Sequence, residues 1–289
     1  MTVKERDPLT GHLTTGHEWN GITELNTRVP RLVWIFIAIT HVWALVVWVL
    51  LPAWPLFDTH TKGVLGITQK AEIGQALAAG NAERAGWMKR VEALPAAAIL
   101  ADPVLASRAN GAGQQLFGDN CAACHGRGAA GGQGFPNLAD NIWIWGNNEA
   151  TIMETLRVGI NSTHPETRVA QMPAFGEGAL LSPAEVDAVV DHTRALASTT
   201  GPAAATQGAA LFAANCASCH GDAGTGNIEL GAPNLTDRDW IYGSDRKSVH
   251  QSVWKGRRGW MPSWDQRLTQ AERKILTVHL LAKARARPS

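Results

Sequence analysis

Apolar residues concentrate in one run, Leu32 to Leu51, where only Thr40 and His41 are polar. Twenty residues at about 1.5 Å each span roughly 30 Å, the thickness of a bilayer core. Trp34 lies near one end, Trp48 and Trp54 near the other, and Pro52 and Pro55 close the run. This is the pattern of a membrane span with interfacial aromatics. A signal peptide fits less well: a leader of about thirty residues is too long, and no Ala-x-Ala site follows. The run therefore predicts an uncleaved anchor. Arg28 and Arg31 flank its start, whereas the first basic residue past its end is Lys62. That asymmetry places the N-terminus in the cytoplasm. His41 falls mid-span, and a neutral imidazole bonded to a neighbouring helix is the preferred reading over a functional one.

The rest of the chain has helical periodicity and no useful strand alternation. Ala71–Gly80 and Ala82–Leu94 read as two helices, and Thr151–Val158 places Ile152 and Leu156 one turn apart. Ser182-Pro-Ala-Glu185 and Thr269-Gln-Ala-Glu272 are capping boxes that start two closing helices. The expected fold is all-α, with one N-terminal transmembrane helix followed by two tandem small domains. The boundaries are a leader 1–31, the span 32–51, a helical connector 52–107, a first domain 108–198, a linker 199–204 and a second domain 205–289.

The tandem arrangement follows from a repeat. All four cysteines lie in Cys121-Ala-Ala-Cys124-His125 and Cys216-Ala-Ser-Cys219-His220. Cys-x-x-Cys-His is the attachment motif for c-type haem, in which both thiols form thioethers and the histidine becomes the proximal iron ligand. Zinc would need further Cys or His ligands at compact spacing, and none lies nearby. A redox dithiol would sit in a βαβ pattern, which is missing; disulfides are the remaining alternative. The surroundings repeat too. Gly113, Leu116, Phe117 and Asn120 precede the first motif, and Gly208, Leu211, Phe212 and Asn215 the second. Pro136-Asn137-Leu138 with Asp140, Trp143 and Gly146 recurs 97 residues later as Pro233-Asn234-Leu235 with Asp237, Trp240 and Gly243. These features predict two cytochrome c-type domains carrying two covalently bound haem c groups.

A histidine-held c-type iron usually takes methionine or histidine on its far face. Met172 in Gln-Met-Pro and Met261 in Trp-Met-Pro lie in glycine-bearing loops after the two motifs. His164, in a segment found only in the first copy, is the rival to Met172. Met153 reads as helix packing and Met88 lies outside both repeats. His192, His250 and His279 fall in helices and read as surface or packing residues. Thioether ligation raises the potential, which suits electrons flowing toward oxygen.

Charge is balanced, 26 Lys+Arg against 25 Asp+Glu, so nothing points to nucleic acid. The 29 glycines suit loops wound closely around a macrocycle. The 12 tryptophans divide between the membrane segment and packing against haem.

Several segments together resemble a known family: Gly21-Ile-Thr-Glu-Leu-Asn26 before Pro30-Arg31, Pro52-Ala-Trp-Pro55 at the end of the span, Gly63-Val-Leu-Gly66, and then paired cytochrome c domains with Pro-Asn-Leu and Met-Pro. The chain is similar over nearly its whole length to subunit III of cbb3-type cytochrome c oxidases, the dihaem subunit called CcoP or FixP. The resemblance implies an electron-transfer subunit of a haem–copper terminal oxidase in the bacterial inner membrane, with its haem domains in the periplasm. It implies partnership with the catalytic and monohaem cytochrome subunits, and with a soluble cytochrome c as donor. Cys121, Cys124, Cys216 and Cys219 would hold the haems, and His125, His220, Met172 and Met261 the irons. Each methionine would serve its own domain in the simple arrangement, whereas closely apposed domains could exchange them. His192 departs from the family's usual aromatic residue.

Both irons would then be six-coordinate, and no catalytic site is expected in the chain itself. The alternatives are a free membrane-anchored dihaem shuttle, a dihaem peroxidase with one five-coordinate haem, and the cytochrome subunit of a periplasmic dehydrogenase.

Overall fold

The computed structural model describes residues 5–198 and 206–285. The expected linker 199–204 lies outside the described residues. The chain divides into two compact units, Met1–Glu83 and Arg84–Ser289.

In the first unit the leader is not featureless. β1 (Thr14–Trp19) and β2 (Ile22–Leu25) form an antiparallel hairpin with Trp19 opposite Ile22. Asn20 and Gly21 both have positive φ, 51° and 86°. Asn-Gly is the strongest short hairpin signal, because both turn residues must enter the left-handed region. The strands' polar composition hid them from the periodicity reading.

The apolar run forms α1 (Arg31–Leu50), none of which is buried. By length and composition it can cross a membrane. Its two polar side chains bond within their own helix. Thr40 Oγ1 donates to Phe36 O at 3.0 Å, and His41 Nδ1 donates to Ile37 O at 2.8 Å. Such internal bonds lower the expense of polar groups in hydrocarbon. At the far end Val64 N and Leu65 N donate to Val49 O and Leu50 O, so the returning loop satisfies carbonyls the helix leaves open.

α2 (Gln69–Ala93) is one helix, where the sequence suggested two. Gly80-Asn81 does not break it. Glycine weakens a helix by about 1 kcal/mol without ending it.

In the second unit follow α3 (Ala96–Ala101), α4 (Pro103–Asn120), α5 (Ala122–His125), α6 (Glu149–Val158) and α7 (Pro183–Leu196). Then come α8 (Gln207–Asn215), α9 (Ala217–His220), α10 (Arg246–Lys255) and α11 (Gln270–Arg285). Caps set their starts. Asp102 accepts from Val104 N and Leu105 N, which opens α4 before the expected domain start. Both predicted capping boxes are present, at Ser182/Glu185 and Thr269/Glu272.

Three apolar clusters organise this unit. One joins the end of α2, α3, α4 and α11 through Val91, Ile99, Leu105 and Ile275. A second surrounds the first cysteine motif and holds Phe117, Ile152, Leu156, Leu276 and Leu280. A third surrounds the second motif and holds Val186, Val189, Val190, Phe212, Val249 and Val253. The closing helices are therefore exchanged. α11, from the second repeat, packs on α4 and α6 of the first, and α7, from the first, packs on α8 and α10 of the second. Each sequence repeat is divided between two clusters.

The crossings are tight. A Cβ on Gly113 would overlap His279 on α11, and one on Gly208 would overlap Ala188 and His192 on α7. His279 is 2% exposed, and its Nδ1 bonds Asn110 Oδ1 at 2.7 Å. Burial, with Lys283 nearby, pushes its pKa from 6.5 down to about 4. The unfolded chain therefore takes up this proton first, so the stability is present above about pH 6.5 and falls as pH drops toward 4. At about 1.4 kcal/mol per pH unit, the loss is about 3 kcal/mol. Urea unfolding at pH 7 and pH 4.5 reads it, and His279→Phe is expected to flatten that dependence.

Candidate haem-binding sites

Both cysteine motifs have the same local construction. Cys121 ends α4 and begins the single turn α5, in which His125 N bonds Cys121 O at 3.0 Å; Gly126, at φ 72°, stops it. In the second site His220 N bonds Cys216 O at 2.9 Å and Gly221, at φ 77°, stops the turn. One helical turn thus carries two thiols and an imidazole.

The recurring Pro-Asn-Leu acquires a physical role. His125 Nδ1 donates to Pro136 O at 3.1 Å, and His220 Nδ1 to Pro233 O at 2.9 Å. Because a carbonyl only accepts, Nδ1 carries the proton and Nε2 is left with its lone pair for a metal. Asn137 Oδ1 accepts from Ala139 N, and Asn234 Oδ1 from Thr236 N, both at 2.9 Å, fixing the loop that presents each carbonyl. Leu138 and Leu235 then pack into the respective clusters. The repeated Asp and Trp also pair locally: Trp143 Nε1 donates to Asp140 O, and Trp240 Nε1 to Asp237 O.

Electrostatics suit metal ligation. Burial lowers the pKa of His125 and of His220, opposed by the proline-carbonyl bonds, so both imidazoles are neutral. Burial, reinforced by Cys124 and Cys219, pushes the Cys121 and Cys216 thiols up to about 11. They are protonated and weakly reactive at neutral pH. None of the four cysteines is in a disulfide. Among the described residues no cluster of three or more His, Cys, Asp or Glu is arranged to hold a metal ion, so zinc lacks its ligand set. Paired thiols, a lone-pair nitrogen and an apolar surround fit haem c at both places.

The two methionines sit across the repeat boundary. Met261 packs against the cluster that holds Cys121, Ala122 and Trp143. Met172 packs against the cluster that holds Cys216, Ala217 and Trp240. Backbone pairing pins them there. Met172 N donates to Arg257 O at 2.8 Å and Arg257 N returns a bond to Met172 O at 3.1 Å. Met261 and Ile160 exchange the same two bonds, at 2.9 and 3.0 Å. Gly159 and Gly256, at φ 69° and 70°, sit directly under the Met261 and Met172 carbonyls, where a Cβ would collide. The two chain segments cross at these glycines.

The other candidates are engaged elsewhere. His164 Nδ1 accepts from Glu166 N, and its Nε2 faces Asp265 at 4.0 Å. Met153 is half-buried on α6, and Met88 packs against the α2–α4–α11 cluster. His250 stacks on Trp254 and His192 leans on Phe212. The reciprocal placement of the methionines had no sequence signal that favoured it over the simple arrangement.

Helical crossings over two Cys-x-x-Cys-His turns, with a thioether in each cluster, define a dihaem c-type cytochrome on a membrane anchor. Known proteins agree. The family model for cytochrome c oxidase, cbb3-type, subunit III matches residues 203–280; that for the N-terminal domain of cytochrome oxidase-cbb3, FixP, matches 11–58; and the cytochrome c model matches 111–197. The chain is 44% identical over 278 residues to the cbb3-type cytochrome c oxidase subunit FixP of Bradyrhizobium sp. (strain ORS 278), covering 96% of each chain. It is 41% identical over 270 residues to subunit CcoP of Cereibacter sphaeroides, covering 92% of this chain and 93% of that one. It is 38% identical to subunit CcoP of Azospirillum brasilense, covering 97% and 98%. The chain belongs to the FixP/CcoP family of cbb3-type cytochrome c oxidase subunits. It is a dihaem electron-transfer subunit with two covalent haem c groups and a single-pass membrane anchor.

Cys219→Ser is expected to leave one haem per chain, seen as the loss of one haem mass by intact mass spectrometry. Retention of two haems would contradict attachment at Cys216 and Cys219.

Proposed function

We propose that the haem attached at Cys121 and Cys124 is held by His125 and Met261, and the haem attached at Cys216 and Cys219 by His220 and Met172. The observation that carries this reading is the packing of each methionine in the cluster of the other repeat's cysteine motif. Bound haem supplies the one-electron couple; the chain attaches it, orients it and sets its potential. The imidazoles, fixed by the Pro136 and Pro233 carbonyls, would offer Nε2 to the iron. The methionine thioethers, held through Ile160 and Arg257, would supply the second ligand. With both positions on each iron filled in this way no place would remain for a substrate, and the chain would act as an electron relay.

The relay runs from a soluble cytochrome c donor toward the monohaem cytochrome and catalytic subunits of a cbb3-type oxidase. Arg28 and Arg31 at the start of α1 support an N-terminus in the cytoplasm and haem domains in the periplasm, across a bacterial inner membrane. Mild purification from membranes tests the assignment. Haem b and copper are expected to travel with this chain, with two haem c per copy. A chain that purifies alone, fully haem-loaded and reducible by several donors, would instead be a free shuttle.

A further inference from the structure

Arg168 presents a buried Nε–H with no hydrogen-bond partner. Its guanidinium lies 4.7 Å from the centroid of the Trp145 ring, and its Nη2 reaches only the Thr151 carbonyl, at 3.4 Å. The nearby carboxylates of Glu154 and Glu166 are both bonded to Arg157, at 2.9 and 2.5 Å. A buried donor on a charged group left unpaired is costly, so the position calls for an acceptor. Arg257 occupies the corresponding place in the other repeat. It lies 4.2 Å from the Tyr242 ring, but its Nε donates to Ser252 Oγ at 2.9 Å. Of these two, it is Arg168 whose buried Nε–H has no partner.

Its surroundings say which anion fits. Thr151 is on α6, whose Ile152 and Leu156 pack with Phe117, Cys121 and Trp143 around the first haem site. Haem c carries two propionate carboxylates. A planar guanidinium matches a carboxylate through two parallel N–H bonds, and the aromatic ring beneath it fixes its plane.

We propose that Arg168 binds a propionate of the haem attached at Cys121 and Cys124. It is a positioning residue that holds the charged edge of that haem and raises its potential, because a fixed positive charge favours the electron-rich reduced state. Together with the methionine assignment above, on which this point rests, the segment Arg168–Met172 then reaches both haems: arginine to the first, methionine to the second.

The test is a redox titration of the full dihaem chain carrying Arg168→Gln, run at several pH values. The component absent from a Cys124→Ser chain identifies the first haem. That component is expected to shift to lower potential and to become more pH-dependent, as the unpaired carboxylate takes up a proton on reduction. Arg168→Lys keeps the charge and is expected to recover most of the shift. No movement of either component, movement confined to the second haem, or a lysine variant as low as glutamine would each overturn the proposal. The methionine assignment is read independently from ligand access in methionine variants that keep Arg168, so the two can fail separately.

Discussion

Met261→Ala is expected to make the haem attached at Cys121 bind carbon monoxide, although that cysteine lies 140 residues upstream. The haem attached at Cys216, 45 residues upstream in the same repeat, is expected to remain closed. The reason is packing: Met261 lies in the cluster of Phe117, Cys121 and Trp143, held by two backbone bonds to Ile160. Loss of the thioether also lowers the potential of the opened haem, because sulfur stabilises the ferrous state. One equivalent of carbon monoxide per reduced chain, with the altered spectrum following the first attachment site, is the expected reading. Met172→Ala is expected to give the mirror result at the second site.

The second large effect concerns which piece of the chain makes a complete haem domain. Residues 159–258 contain every member of the cluster around the second site, including Met172, Val186, Phe212, Cys216 and Val253, together with Arg257, whose backbone holds Met172. This continuous fragment is a permuted cytochrome, with its closing helix α7 placed before its cysteine motif. It is expected to hold one haem with histidine and methionine ligands. Residues 205–289, the second repeat as the sequence marks it, lack Met172 and α7, the latter supplying Val186, Val189 and Val190. Removing such side chains from a core costs about 1 to several kcal/mol each. That fragment is expected to give an unstable, ligand-accessible haem. Haem content, carbon-monoxide binding and thermal unfolding of the two fragments compare them directly.

Much of this was legible in the sequence because it rests on local chemistry. The cysteine motifs, the Pro-Asn-Leu loops, the capping boxes and the twenty-residue apolar run each act within a few residues of themselves. The hairpin at Asn20-Gly21 was also marked, but its polar strands carry no alternation to draw attention to it. The exchange of α7 and α11 was not legible, for a physical reason. Both repeats place a glycine on the entering helix, Gly113 or Gly208, and a histidine on the closing one, His279 or His192. Either closing helix satisfies either entering helix by residue type. Which pairing forms is set by where Gly159 and Gly256 let the two segments cross, and that is a long-range property.

The crossing also bears on electron relay. Neither haem pocket closes without a segment from the other repeat, so the two are built as one unit. The proposed histidine–methionine pair on each haem would keep both potentials high, which suits delivery toward oxygen.

The most direct measurement uses a chain with only the first haem, made by Cys216→Ser and Cys219→Ser, into which Met172→Ala or Met261→Ala is introduced. The reduced protein is then titrated with carbon monoxide. Reciprocal ligation predicts a closed haem with Met172→Ala and an open one with Met261→Ala. An open haem with Met172→Ala and a closed one with Met261→Ala would contradict it.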